Sequence, residues 1–152
     1  MSSRRRAREL AVQALYALEL SQNPVDEVKQ DVIEQQNDAV AVKAFAEQLF
    51  TATVEHCSEL DEIIKHKAVN WDFERIAILD KLILRLAICE FLYFEDIPPK
   101  VSIDEAIEIA KKFSTAKSGQ FVNGILDAVL LELRSTNRLH KTGRGLIETT
   151  SQ

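Results

Sequence analysis

Apolar residues recur every three or four positions along most of this 152-residue chain, which is the spacing of one face of an α-helix. The first such stretch predicts a helix from Ser3 to Ser21, with a core-facing stripe of Ala7, Leu10, Ala11, Ala14, Leu15 and Leu18. Asn23 and Pro24 end that helix, and a short acidic helix is predicted from Val25 to Gln36. The start of the chain is therefore expected to be helical.

Two longer stretches predict the middle of the core. A helix from Asp38 to Lys67 carries His56 on its apolar stripe, and a helix from Phe73 to Phe94 is apolar on most sides, as a central buried helix would be. Because the position four residues after His56 is Leu60 and not a second ligand, we interpret this histidine as a hydrogen-bonded core residue.

The last two helices are marked by their start signals and their spacing. Ser102 and Glu105 have the spacing of a capping box and predict a helix from Ile103 to Phe113. The apolar spacing resumes from Gly119 to Leu133. Gly124 lies inside this last helix, where a glycine costs about 1 kcal/mol relative to alanine, and this suggests a close approach by another helix or by a ligand.

The composition agrees with an all-α fold. The chain has only four glycines and three prolines and little β-branched alternation, which disfavours a sheet with many tight turns. With 46% hydrophobic residues, a chain of this length can bury about two thirds of its unfolded surface in one core. Residues 1–134 are predicted to form a single helical domain, and residues 135–152 a polar, disordered C-terminal tail.

Cysteine usage and hydropathy indicate the compartment. Cys57 and Cys89 are isolated and lack metal or redox spacing, so we expect both to be reduced in a cytoplasmic protein. The basic start lacks the apolar run of a signal peptide, and every apolar stretch is too short to span a membrane. We therefore expect no contact with membranes.

Charge is unevenly distributed along the chain, although the net charge is only -5. Residues 1–8 carry +4, residues 9–110 hold 8 basic against 21 acidic residues, and residues 111–152 hold 7 basic against 3 acidic residues. Basic ends around an acidic middle suit a protein that binds a polyanion with one surface and a basic partner with another. Two solvated tails are the alternative.

The motifs of common catalytic sites are absent from the sequence. It contains no Gly-rich phosphate loop, no G-x-S-x-G and no H-E-x-x-H. Glu59, Asp61 and Glu62 are close in sequence, but we interpret them as a solvated helix face. We expect no catalytic residue, no cofactor and no metal ion.

Two basic regions have the residue types that bind nucleic-acid phosphates. The first opens the chain and contains Arg4, Arg5, Arg6 and Arg8. Because the helix dipole disfavours positive charge at a helix N-terminus, we expect these arginines to serve something other than folding. The second is KKFSTAKSGQF, which has three lysines, a helix start that favours anions, and two rings, Phe113 and Phe121, that could stack on unpaired bases. Burial in the core is the alternative for both rings.

Three segments, RRRARELAVQALY, VSIDEAIEIAKKF and FVNGILD, resemble the NusB transcription antitermination factors, and the similarity extends to about Leu133. The resemblance implies a bundle of about seven helices, with an N-terminal three-helix half packed on a C-terminal four-helix half. It also implies a non-enzymatic protein that pairs with NusE, a ribosomal protein of the small subunit. That pair binds boxA RNA in nascent ribosomal transcripts and helps RNA polymerase to read through terminators.

The resemblance also assigns functional residues. The RNA-contacting positions of the family fall on Arg4, Arg5, Arg6, Arg8, Phe113, Lys117, Gln120 and Phe121. The positions that face NusE fall on Tyr16, Glu74 and Asp80. Lys117 departs from those members that carry an acidic residue there, and we expect the lysine to strengthen phosphate binding and to reduce the dependence on NusE.

Two other functions stay open at the level of the sequence. A similar helical domain precedes the catalytic domain of certain ribosomal RNA cytosine methyltransferases, so a fragment of an RNA-modifying enzyme would show the same pattern. A helical adaptor or homodimer without specific RNA binding would also show it, and a homodimer would cover the arginine-rich surface.

Overall fold

The computed structural model describes residues 3–147 of the chain. Over that range it contains seven α-helices and no β-strand, so the predicted all-α fold is confirmed. The chain divides into two compact units, Met1–Glu55 and His56–Gln152. Three α-helices lie in the first unit and four in the second, which is the division that the family resemblance implied.

The first unit is built around its two long helices. Helix α1 spans Ser3–Ser21, the one-turn helix α2 spans Val25–Val28 and continues into a π-helical stretch, Lys29–Glu34, and helix α3 spans Val40–Glu55. Helix α1 contacts both α3 and the π-helical stretch. The fully buried residues Leu10, Ile33, Leu49 and Phe50 form the centre of this unit.

The second unit is built around one buried helix. Its α-helices are α4 (Cys57–Lys67), α5 (Ile78–Tyr93), α6 (Pro99–Phe113) and α7 (Ala116–Ser135), and it has two 3-10 turns, Phe73–Arg75 and Gly143–Leu146. Helix α5 contacts α4, α6 and α7, and 11 of its 16 residues are buried. The prediction of a central buried helix in this region is therefore confirmed.

The helix predicted from Asp38 to Lys67 is interrupted at His56, where the backbone leaves the helical region with φ of -107° and ψ of 17°. The predicted stripe includes Thr53 before the break and Leu60 and Ile63 after it, so the periodicity gave no sign of the break. Thr53 and Leu60 are buried, whereas Ile63 is half-buried and its neighbour Ile64 is buried instead. The side chain of His56 is 34% exposed, and its ring stacks on that of Tyr93 at 3.8 Å, so the predicted core position of His56 was wrong.

The predicted capping box at Ser102 was also wrong. Helix α6 begins at Pro99, because proline lacks an N–H and has a fixed φ, which suit the first turn of a helix. Ser102 consequently lies inside the helix, and its hydroxyl donates a 2.7 Å hydrogen bond to the buried carboxyl group of Glu90. This bond joins α6 to α5 and satisfies a polar group that burial would otherwise leave unpaired.

Gly124 differs from its sequence interpretation as well. A Cβ atom built on Gly124 would meet no atom within 4 Å among the described residues, so no other helix requires a glycine there. We therefore expect Gly124→Ala to raise the free energy of unfolding by about 0.5–1 kcal/mol through the better helix propensity of alanine. Urea denaturation would measure this change, and a loss of stability would contradict it.

The segment after α7, which the sequence predicts to be a disordered tail from Ser135, makes hydrogen bonds to the end of α5 and to the residues after it, over the part that the structure describes. The N–H of Thr142 donates to the carbonyl of Glu95 at 3.0 Å, and a Cβ on the buried Gly145 would overlap that same carbonyl. Lys141 Nζ donates to the carbonyls of Glu90 and Phe94 at 2.9 and 2.8 Å, at the end of α5. Residues 148–152 of the predicted tail lie outside the described residues, and the boundaries of the single predicted domain stay a prediction.

Lys141 should make the stability of the protein depend on alkaline pH. Burial lowers the pKa of its ammonium group from the ordinary lysine value of 10.5 to about 8. Between these two pH values, Lys141 is therefore more fully protonated in the unfolded chain than in the folded protein. Folding is therefore favoured as the pH rises through this window. We expect the free energy of unfolding of the wild type, minus that of Lys141→Met, to increase from about pH 8 to about pH 10. Denaturation curves at several pH values would measure it, and a constant difference would contradict it.

Candidate nucleic-acid interface

The four arginines of α1 have different environments. Arg4 is exposed, and its guanidinium carbon lies 4.0 Å from the centre of the Phe45 ring. Arg5 and Arg6 are half-buried, whereas Arg8 is only 3% exposed. The exposure of these arginines therefore decreases from Arg4 to Arg8, within little more than one helical turn.

Arg6 is bound by a residue of its own unit. Its Nε and one terminal nitrogen donate to the two carboxylate oxygens of Asp38 at 2.9 and 3.1 Å, which is a bidentate ion pair. This pairing lowers the pKa of the Asp38 carboxyl and raises that of the Arg6 guanidinium. Arg6 thus ties α1 to the segment that precedes α3, and this accounts for one arginine at the unfavourable end of the helix dipole.

The burial of Arg8 argues against its predicted contact with RNA. A phosphate has to reach the guanidinium group, and the surface of Arg8 is almost entirely covered. A sequence signal for this burial existed, because Arg8 precedes Ala11 by three positions and Leu15 by seven and so borders the apolar stripe. Arg4 is the arginine of this stretch that is best placed to contact a ligand.

The second predicted region lies at the end of α6 and the start of α7. Lys117, Gln120 and Phe121 follow the i, i+3, i+4 spacing in the first turns of α7 and so share one face of that helix. Lys117 and Gln120 are exposed and Phe121 is half-buried. Phe113, the last residue of α6, is half-buried too. We define the surface of Lys117, Gln120 and Phe121 as the α7 face.

The N-terminus of α7 differs from the free anion site that the sequence predicted. The helix begins at Ala116, three residues earlier than Gly119, and Thr115 is its N-cap. The Thr115 hydroxyl oxygen accepts a 3.1 Å hydrogen bond from the backbone N–H of Ser118. That N–H is therefore not available to a phosphate, and the α7 face offers its side chains instead.

A buried carboxyl group supports the start of α7 from α5. Asp80 is 7% exposed, and its Oδ2 accepts from the Ser118 hydroxyl at 3.3 Å. The same hydroxyl lies 2.9 Å from the Ser114 hydroxyl, and because it has a single proton it can donate to only one of the two at a time. Burial raises the pKa of Asp80, and its Oδ1 has no hydrogen-bond partner among the described residues.

The residues predicted to face the protein partner also differ in their exposure to solvent. Tyr16 of the first unit is 37% exposed, and Glu74 of the second unit is exposed in its 3-10 turn. Asp80 is buried, so its observed contact is with Ser118 and not with a surface that a partner could reach. The burial of Asp80 argues against direct docking and for a supporting role.

The residue that the sequence interpretation missed is Trp71. Its indole ring meets the ring of Phe121 edge to face, with centroids 5.1 Å apart and an angle of 70°. It is the single tryptophan of the chain and is 52% exposed. A lone tryptophan in the short segment between two predicted helices was the signal that could have identified it.

The described residues contain neither a metal cluster nor a membrane span. No group of three or more His, Cys, Asp or Glu side chains over residues 3–147 could hold a metal ion. In the same range, no helix combines the length and the apolar character needed to cross a membrane.

Comparison with known proteins identifies the family. The profile of the NusB family matches residues 5–131, which is most of the chain. The chain belongs to the NusB family. It is 49% identical over 148 residues to the transcription antitermination protein NusB of Salinibacter ruber, covering 97% of this chain and 92% of that one. It is 48% identical to the NusB protein of Chloroherpeton thalassium, covering 96% of this chain and 70% of the relative.

Solved NusB structures have the same fold. T. maritima NusB is 35% identical and superposes with a TM-score of 0.79, covering 87% of this chain and 93% of that one. The crystal structure of the antitermination factors NusB and NusE in complex with dsRNA contains a chain that is 27% identical, with a TM-score of 0.79 and coverage of 87% and 98%. The expected family and fold are thereby confirmed.

Proposed function

We propose that this NusB-family protein is a transcription antitermination factor that acts in the cytoplasm without catalysing a reaction. It binds boxA RNA of nascent ribosomal RNA transcripts together with the ribosomal protein NusE, and the complex promotes read-through by RNA polymerase. Two relatives named as antitermination proteins, which match 97% and 96% of this chain, support this role, as does the relative crystallised with NusE and dsRNA.

The observation that carries the proposal is the α7 face. Lys117 supplies charge for a phosphate, Gln120 supplies hydrogen-bonding groups for a base edge, and Phe121 supplies a ring on which a base stacks. These are the three kinds of contact that single-stranded RNA recognition uses, and here they occupy one side of little more than one helical turn. Phe113, the exposed Arg4 and the half-buried Arg5 are the further RNA-binding residues that we propose.

The proposal assigns the protein partner to a separate set of residues. Tyr16 and Glu74 offer an exposed aromatic ring and an exposed carboxylate, which suit a basic ribosomal protein. Three of the predicted site residues have structural roles within their own unit instead. Arg6 forms an ion pair with Asp38, and Arg8 is buried. Asp80 accepts a hydrogen bond from Ser118.

A second candidate function is a helical adaptor or homodimer without specific RNA binding. The internal engagement of Arg6 and the burial of Arg8 favour it, because both arginines then have a structural explanation that needs no RNA. Such a protein would bind RNA only through non-specific charge.

The test is to titrate boxA RNA and a scrambled RNA of equal length across a salt series, with and without purified NusE. We expect preferential binding of boxA, tightened by NusE, with a log–log salt slope of about 0.7 for each phosphate contacted on a single strand. Equal and weak binding to both RNAs, unchanged by NusE, would support the adaptor. Light scattering of the free protein would then test for the homodimer.

Lys117 provides a charge-reversal prediction. We expect Lys117→Asp to weaken boxA binding about 10-fold and to make binding more dependent on NusE, because a phosphate contact is lost and a like charge replaces it. Lys100→Asp is the matched control, since Lys100 is exposed near the opposite end of α6 and the change in net charge is equal. Equal affinity of the wild type and Lys117→Asp would remove Lys117 from the interface.

A further inference from the structure

Trp71 is a large apolar side chain that the fold leaves half exposed. It follows α4, and its backbone N–H donates to the carbonyl of the buried Ala68 at 3.0 Å, so the main chain at this point is held in place. Trp71 is 52% exposed, and Val69, two residues earlier, is 74% exposed. An exposed aromatic ring on an anchored backbone is a typical arrangement of a binding surface.

The contact with Phe121 connects Trp71 to the α7 face. The two rings meet at 70°, so the edge of one touches the face of the other. In such a pair, each ring keeps at least one face that the other ring does not cover. The contact therefore fixes the orientation of the indole ring and leaves it able to stack on a third flat group.

The side chains near Trp71 indicate which part of a nucleotide it would take. Asp72 follows it directly and Glu74 lies three residues after it, and both carry exposed carboxylates. The guanidinium Nε of Arg75 lies 3.9 Å from an oxygen of Asp72. Phe73 has the ammonium groups of Lys65 and Lys81 at 5.0 and 4.5 Å from its ring centre. The charges around Trp71 are therefore of mixed sign and do not define a phosphate site. The exposed ring of Trp71 offers a flat surface for a base, and Lys117 of the α7 face offers a cation for a phosphate.

We propose that Trp71 is a base-stacking residue that extends the α7 face, and that it takes an unpaired RNA base next to the base bound at Phe121. This inference rests on the proposed RNA-binding function and adds a residue to it. Stacking of a base on an aromatic side chain is tolerant of sequence, so Trp71 contributes affinity more than choice of sequence.

The single tryptophan makes a direct test possible, because all indole fluorescence of the protein comes from Trp71. Excitation at the red edge of the indole absorption avoids the two tyrosines. We expect single-stranded boxA RNA to quench this emission and to protect it from acrylamide, as a stacked base would. N-acetyltryptophanamide with the same RNA corrects for absorption of the exciting light.

Variants add a second readout by anisotropy of labelled RNA. We expect Trp71→Ala to weaken binding about 5- to 100-fold and Trp71→Phe to retain most of the affinity, because a smaller ring still stacks. Val69→Ala is the matched control for loss of exposed apolar surface beside the same turn. Circular dichroism and thermal melting show whether each variant keeps its fold.

The outcomes separate the inference from the proposed function. The inference is overturned, and RNA binding is left intact, if labelled RNA binds while the Trp71 emission stays constant and Trp71→Ala binds RNA like the wild type. Emission that responds to NusE alone assigns Trp71 to the protein interface and overturns the inference as well. Absence of any RNA binding overturns both.

Discussion

Phe121→Ala is expected to lower the affinity for boxA RNA about 5- to 150-fold, because one base–aromatic stack contributes about 1–3 kcal/mol. Phe121 lies on the α7 face beside two exposed polar side chains and holds the ring of Trp71 edge to face. Its replacement removes one stacking surface and the contact that orients a second. The measurement is anisotropy of labelled RNA at fixed salt, with Leu131→Ala as the control for an exposed apolar residue of α7.

Phe121→Leu separates stacking from packing. Leucine keeps much of the apolar volume that Phe121 buries, so the stability lost in the alanine variant should largely return. It offers no flat ring, so the affinity for RNA should stay low. Full recovery of RNA binding in Phe121→Leu would show that the ring only packs, which is the alternative that the sequence left open.

Arg8→Ala is expected to destabilise the protein by about 3 kcal/mol, the second large effect. The side chain is 3% exposed, and its guanidinium lies 5.8 Å from the ring centre of Phe45, so alanine would leave a cavity and remove the buried interactions of the charge. Thermal or urea denaturation would measure the loss.

Arg4→Ala is the matched control for Arg8→Ala, since the same residue type stands one turn away but is exposed. We expect it to change stability by less than about 1 kcal/mol and to reduce the salt slope of RNA binding by about 0.7. A variant Arg8→Ala that keeps its stability and loses RNA binding would contradict the structural role and return Arg8 to the interface.

The buried Asp80 supports the start of α7 from within the second unit. Asp80 is in the first turn of α5, and through Ser118 it holds the first turn of α7, from which Lys117 and Gln120 project. A change around Asp80 would therefore alter the α7 face without any contact between Asp80 and RNA. Its role is one of positioning.

The sequence by itself determined the helices and most of their buried faces. In α1, five of the six predicted core residues are buried and Leu18 is half-buried, and in α7 all five predicted residues are buried: Val122, Ile125, Leu126, Val129 and Leu133. Helix periodicity is a local property, since one apolar face has to be covered whatever covers it. The family resemblance, which depends on local motifs, was recognisable for the same reason.

The tertiary structure alone decided what the polar and aromatic side chains do. Arg6 meets Asp38, Asp80 meets Ser118, and Trp71 meets Phe121 across sequence separations of 32, 38 and 50 residues. Local spacing carries no information about such pairs, because they depend on which helix surfaces the fold brings together. The same reason applies to the segment that holds Lys141: its polar composition predicted disorder, but the carbonyls at the end of α5 supply its hydrogen-bond partners.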